Sequence, residues 1–355
     1  MSLKDRLRAE IADSGPIGVD VFMGRCLHDP LDGYYATRPA LGEAGDFITA
    51  PMVSQMFGEL IGLWLAQAWI DAGAPTRALL VEAGPGDGTL MSDIRRAATV
   101  APGFLAACEL WLIETSPPLR ARQAARLAGA GPRWSSSLAE LPRDAPIFLV
   151  ANELLDCLPA RQFQRTERGW AERVVGLGSD GALVFGLRPA VGCFPDAPVG
   201  AVVERSAAQT AFVAELAGRI ARQSGVALLI DYGGADAAPG DTLQALAGHL
   251  KVDPLENPGE ADLTIHADFA AVLEAARDTG ARAGLLTQGD FLRRLGIQAR
   301  AERLAASRPE KAATIARQLD RLVGPDQMGE LFKAAAIWAG APPPAFDDRD
   351  LEDPA

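Results

Sequence analysis

Short runs of adjacent apolar residues punctuate the middle of the chain: Leu79 to Val81, Leu110 to Ile113, Ile147 to Ala151 and Val226 to Ile230. Such runs suit strands buried on both faces, as in a parallel sheet covered by helices. PRWSSSLAELP adds a short strand with a serine-rich turn, and two further strands are expected at Ala281 to Thr287 and inside GELFKAAAIWAG. Stretches with apolar residues at helical spacing lie between them. The expected fold class is therefore α/β, with a Rossmann-like, doubly wound and mostly parallel sheet of seven strands.

Around this sheet the pattern changes. A helix, a Gly15-Pro16 turn, a second helix at Val19 to Leu27 and an Asp32-Gly33 turn presenting Tyr34 and Tyr35 make a helical N-terminal extension. Residues 38 to 51 read as a lid-like loop, and an amphipathic helix is expected over Val53 to Ala72. Residues 161 to 188 alternate apolar and polar around Ser179-Asp180-Gly181, which predicts an inserted antiparallel meander. Ala207 to Gln223 and Ala267 to Thr279 read as helices, residues 241 to 266 give mixed signals, and Gly289 to Leu322 reads as a helical insertion. The final APPPAFDDRDLEDPA is proline-rich and acidic, a composition that predicts disorder. The expected segments are residues 1–75, a main domain at 76–340 interrupted at about 161–206 and 236–322, and a tail at 341–355.

Composition narrows the function classes. With 355 residues and 48% apolar content the chain can bury a substantial core. A net charge of -12 argues against a nucleic-acid partner, because affinity for phosphate backbones comes from lysine and arginine. It suits a basic protein or peptide instead. Cys26, Cys108, Cys157 and Cys193 show no C-x-x-C spacing, so reduced, buried thiols are expected rather than a disulfide framework or a structural zinc site. The spacing of histidines and carboxylates suggests no catalytic metal. The apolar stretch from Leu60 to Ile70 is too short to span a bilayer, and the N-terminal residues lack the apolar core of a signal peptide, so a cytoplasmic location without membrane insertion is expected.

The chemistry gathers where strands end. Leu79 to Val81 runs into Glu82, then Gly84, Gly86 and Gly88, and an apolar helical pattern restarts at Thr89. Dinucleotide sites space their glycines G-x-G-x-x-G to seat a pyrophosphate on a helix N-terminus. Here the order is E-x-G-x-G-x-G, which resembles the first motif of class I S-adenosylmethionine (SAM) methyltransferases, whose ligand carries positive charge and no phosphate. Glu82 is placed to offset that charge. A purely structural βα turn is the plainer alternative. Glu114 ends the second strand, where an acid can accept both ribose hydroxyls or merely cap the following helix. Ser137 and Leu138 lie where a turn can meet an adenine ring. Asn152, Glu153 and then Asp156 follow the fourth strand, and Asp231 and Tyr232 end the fifth.

Taken together, GDFITAPMVSQMFGE, EAGPGDGTLM, IETSPPLRARQ, ANELLDCLPARQF, LLIDYG, DTLQALAGH, DLTIHADF, GLLTQGDFLRRLGI and MGELFKAAA resemble the MidA family over almost the whole chain. The resemblance implies a class I methyltransferase fold with insertions, SAM as cofactor, and, in mitochondrial members, methylation of an arginine on a complex I subunit. Cofactor contacts are then expected from Asp46, Thr49, Glu82, Gly84, Gly86, Gly88, Glu114, Ser137, Leu138 and Asn152. Glu153, with Asn152 and Asp156, is the candidate grip on a substrate guanidinium. His266 would receive a proton, or serve only as a structural histidine in its loop. The expected partner is a protein substrate, with a homodimer as a further expectation. A small-molecule methyltransferase and a SAM-binding assembly factor without catalysis are the alternatives.

Overall fold

A computed structural model of the protein describes residues 1–37, 49–236 and 238–351. The chain divides into two units, each assembled from three separate segments. The first comprises Met1–Phe47, Leu155–Thr210 and Asp236–Asp268. Its N-terminal helices are Leu3–Ser14 and Val19–His28. Arg161–Thr166, Gly169–Leu177 and Leu183–Pro189 form the antiparallel meander that the alternation predicts. Gly181, at φ 76°, donates its N–H to Gly178 O in the tight turn. Val202–Arg205 extends the meander by pairing with Arg161–Thr166.

Within this sheet the buried Glu172 accepts from Arg161 and Arg188. Burial opposes its charge, yet the two guanidiniums hold its carboxyl down at about 2. The mixed signals of residues 241 to 266 resolve into a three-stranded antiparallel sheet of Gln244–Ala247, Leu250–Val252 and Asp262–Thr264. Strands of three or four residues carry too few alternations to be read from sequence. The expectation of buried thiols fails at Cys193, which is exposed in the irregular stretch after Pro189, whereas Cys26 and Cys157 are buried.

The second unit comprises Ile48–Leu154, Ala211–Ala235 and Phe269–Ala355. Its strands are β1 (Ala78–Ala83), β2 (Cys108–Ile113), β3 (Arg133–Ser135), β4 (Ile147–Asn152), β5 (Gly225–Gly234), β6 (Arg282–Thr287) and β7 (Phe332–Trp338). They lie in the order β3-β2-β1-β4-β5-β7-β6. From β3 to β5 every pairing is parallel, while β7 runs antiparallel to both neighbours. Among the described residues these seven strands form a mixed sheet, where a mostly parallel one is expected. Hydropathy carries no direction. The helices between β6 and β7 return the chain to the end of the sheet where β6 finished, and β7 must then run back.

Helices α1 (Gln55–Asp71), α2 (Thr89–Ala98) and α3 (Pro117–Arg126) flank the strands that carry the candidate site. Ser54 caps α1 by accepting from Met56 N–H at 3.3 Å, and a separate short helix, Ala50–Val53, precedes it. Leu60, Ile61 and Trp64 of α1 and Leu90 and Ile94 of α2 pack with Leu80, Leu112, Phe148 and Leu228 of the sheet. Glu59 anchors this layer, accepting from Arg96 of α2 and from Arg300 of the helix Ile297–Ser307. The proline-rich stretch that composition marks for disorder is packed at its start: Trp64 Nε1 donates to Pro344 O at 2.7 Å, and Phe346 is buried beside Phe291.

Gly58 and Gly62 let α1 and α2 meet at backbone distance. A Cβ on Gly62 would stand 2.5 Å from Ile94 O and 2.8 Å from Ile94 Cα. Alanine is ordinarily better than glycine inside a helix by about 1 kcal/mol, but overpacking costs roughly 1–3 kcal/mol and backbone atoms cannot swing aside. With backbone atoms under 3.0 Å away the cost falls at the upper end, so Gly62→Ala is expected to destabilise the protein by about 2 kcal/mol net in urea denaturation. Unchanged or higher stability would show that α2 shifts without cost.

Candidate active site

Because β1, β2, β3, β4 and β5 are parallel, their carboxyl ends share one edge of the sheet. Glu82 lies one residue before the end of β1, on the same face as Leu80 two residues earlier. It is 2% exposed, and its Oε2 has no hydrogen-bond partner among the described residues. Burial, reinforced by Asp87 and Glu114, pushes its carboxyl well above the usual carboxylate range, against the backbone hydrogen bond from Met91.

Gly84, Gly86 and Gly88 follow at φ 66°, 53° and 83°, three left-handed residues in five. Only glycine adopts such a run cheaply. Asp87 steadies the turn: its Oδ1 accepts from Thr89 N–H at 3.0 Å at the start of α2, and its Oδ2 pairs with Arg126 at 2.7 Å.

Glu114 directly follows β2. Its Oε1 accepts from Ser116 N–H at 2.8 Å and its Oε2 from Gln123 Nε2 at 3.1 Å. Its N–H donates to Ser135 O at 3.0 Å, joining the ends of β2 and β3. Burial raises its pKa, and the donors from Ser116 and Gln123 pull it back. Ser137 stands before the short 3-10 turn Leu138–Glu140, and Leu138 is buried. Arg219 fixes this turn, donating to the carbonyls of Leu138, Leu141 and Pro142.

At the end of β4, Asn152 is buried and its Oδ1 has no partner among the described residues, while its Nδ2 donates to Glu153 Oε1 at 2.8 Å. Glu153 has φ 54°, a region that non-glycine residues enter at a cost of roughly 1–3 kcal/mol. Among the contacts that hold it, its N–H donates to Ile230 O at 2.8 Å, and its Oε1 accepts from Asn152 and, at 3.3 Å, from Ala50 N–H. Thr49 sits just before Ala50, at the start of the short helix. Asp46 lies outside the described residues.

Asp156 and His266 belong to the first unit. Ile265 N–H donates to Asp156 O at 3.0 Å and His266 N–H to Thr242 Oγ1 at 2.8 Å. Sequence reading passed over Gln123, Ser116, Ser135 and Arg219. For Gln123 a signal exists: it stands four residues after Leu119 on the buried stripe of α3, where an apolar residue is expected.

Glu82 Oε2, Asn152 Oδ1, Ser116 Oγ and Ser135 Oγ are thus buried polar atoms at the carboxyl edge without partners among the described residues. Buried polar groups are ordinarily satisfied. The glycine turn at a switch from strand to helix, the acids beside it and this strand order define a nucleoside-cofactor-binding α/β protein of the methyltransferase type.

Over residues 60–286 the chain matches the model of a family described as S-adenosyl-L-methionine-dependent methyltransferases. It is 35% identical over 369 residues to the protein arginine methyltransferase NDUFAF7, mitochondrial, of Danio rerio, covering 95% of this chain and 86% of the relative. The Homo sapiens protein of that name is 33% identical over 368 residues, covering 93% and 82%. A crystal structure from Burkholderia thailandensis, bound to S-adenosyl-homocysteine, matches with a TM-score of 0.86 and 31% identity over 98% of this chain and 94% of that one. The chain belongs to this family of SAM-dependent methyltransferases, the MidA family of the motifs above, and its cofactor is SAM. The NDUFAF7 relatives are named as mitochondrial, which lends no support to a cytoplasmic location. Among the described residues no helix is long and apolar enough to cross a membrane.

The orphaned atoms fit that cofactor: hydroxyl and ammonium groups are donors, and Glu82 and Asn152 offer acceptors. Glu82 also generates a pH dependence. Its raised pKa favours the protonated carboxyl in the free protein, whereas a cationic ligand favours the carboxylate, so SAM binding should release a proton and tighten as pH rises. Calorimetry in buffers of different ionisation enthalpy is expected to show this release in the wild type and its loss in Glu82→Gln. Equal release in both would place the proton elsewhere.

Proposed function

We propose that the chain is a protein arginine N-methyltransferase. The observation that carries this reading is the likeness to proteins named arginine methyltransferases along 93–95% of the chain. The expected main domain at 76–340, with its insertions, is taken as the SAM-binding part. Glu114 holds the ribose hydroxyls, Glu82 offsets the positive charge, and Gly84, Gly86 and Gly88 let the cofactor lie against the backbone. Ser137 and Leu138 face the adenine, while Asn152 and Thr49 complete the cofactor contacts.

When bound, SAM supplies a methyl group on a sulfonium. The chain's own task is to align a nucleophile and hold it, which in favourable cases is worth on the order of 7–11 kcal/mol. A guanidinium resists because its pKa exceeds roughly 12 and it has no free lone pair. Carboxylate contacts to two of its nitrogens concentrate positive charge there and leave the third more nucleophilic. Glu153 is assigned that grip, with Asn152 orienting its carboxylate. The family resemblance points to a respiratory complex I type subunit as substrate.

Two substitutions separate binding from chemistry. Removing Glu114's charge-assisted hydrogen bonds, worth about 1.5–3 kcal/mol, should weaken SAM binding roughly tenfold to a hundredfold in Glu114→Ala, with transfer partly recovered at saturating SAM. Glu153→Gln keeps shape and backbone strain but loses charge, so SAM affinity should hold while methyl transfer from labelled SAM to a protein substrate collapses. Wild-type transfer by Glu153→Gln would remove Glu153 from the proposed role.

A further inference from the structure

Gln123 is fully buried on α3, and both ends of its amide are engaged. Its Nε2 donates to Gly86 O at 2.7 Å and to Glu114 Oε2 at 3.1 Å, while its Oε1 accepts from Trp134 Nε1 of β3 at 2.8 Å. These partners dictate the amide's orientation. A carbonyl only accepts and an indole N–H only donates, so the NH2 must face Gly86 and the oxygen must face Trp134. One side chain therefore joins the middle glycine of the turn, the acid after β2 and the indole of β3, three elements with no direct sequence link.

We propose that Gln123 is the positioning residue of the cofactor site, locking the glycine turn and the Glu114 carboxylate at a fixed separation that matches the cofactor, with Trp134 setting the direction of its amide. This rests on the reading of Glu114 and Gly86 as cofactor contacts. An amide at this position gives Glu114 a neutral donor, so the carboxylate is oriented and keeps its charge for the ligand. A lysine or arginine there would form an ion pair with Glu114 and compete with the ligand's own donors. The charged and titratable groups around Glu114 are Glu82 of β1 and Arg120 of α3, whose guanidinium donates to Glu114 O; Asp87 and Arg126 pair with each other on the turn beside it.

The test measures the dissociation constants of SAM and S-adenosyl-homocysteine by calorimetry for the wild type, Gln123→Leu, Trp134→Phe and the double variant, with KM and kcat alongside. Gln123→Leu keeps the bulk of the side chain and removes both donors. It is expected to weaken both ligands about tenfold or more and to raise KM for SAM far more than it lowers kcat. Trp134→Phe keeps an aromatic ring but removes one of the three hydrogen bonds that fix the amide, so a loss of a few fold is expected. The double variant should bind no worse than Gln123→Leu, because the indole acts only through the amide, and such non-additivity is the mark of a relay. Gln123→Glu, which is isosteric, should bind more weakly as pH rises through the titration of its added carboxyl, since its charged form repels Glu114 and cannot donate to Gly86 O. Wild-type affinity in Gln123→Leu, additive losses in the double variant, or affinity in Gln123→Glu that does not depend on pH beyond the wild type would each overturn the proposal. Glu114→Ala separates the two levels: if it too binds SAM normally, the reading of the site falls, and if it alone loses binding, only the role of Gln123 falls.

Discussion

Parallel pairing from β3 to β5 sends five carboxyl ends to one edge of the sheet, and the polar chemistry of the second unit depends on that constraint. Strands buried on both faces tolerate little polarity along their length, so their acids and amides gather toward the carboxyl ends. Asn152 ends β4, Glu114 directly follows β2 and Glu82 stands one residue before the end of β1, while Asp231 lies three residues before the end of the longer β5. The result is a row of hydrogen-bonding groups whose spacing is inherited from the strand spacing, before any loop contributes.

Helix packing supplies the second coordinate. The glycine turn cannot be placed by β1 alone, since a run of left-handed residues sets no direction by itself. Its exit is fixed because α2 lies backbone to backbone on α1, and α1 is in turn tied through Glu59 to α2 and to the helix carrying Arg300. A chain segment of more than two hundred residues' separation thus helps to orient a turn that looks self-contained in the sequence.

What could be read from the sequence follows from range. The switch from apolar run to acid to alternating glycines is local, so Glu82, the glycines, Glu114 and the Asn152-Glu153 pair are legible as strand ends. Gln123 meets Gly86 from 37 residues away, and nothing near either residue announces the other. The direction of β7 depends on how a helical excursion returns, which hydropathy does not encode. The three short strands between Gln244 and Thr264 fall below the length at which alternation is informative. In the C-terminal stretch, a compositional average hides a single phenylalanine, Phe346, whose burial holds its neighbours.

The left-handed backbone of Glu153 carries a consequence for how this protein would evolve in the laboratory. Glycine or asparagine suits that conformation better than glutamate. A population of variants screened only for heat resistance would therefore drift toward them at position 153, gaining a sturdier fold while discarding the carboxylate. Thermal robustness and the groups at the end of β4 pull in opposite directions at this one residue, so stabilised versions of the protein must draw their gains from elsewhere in the chain.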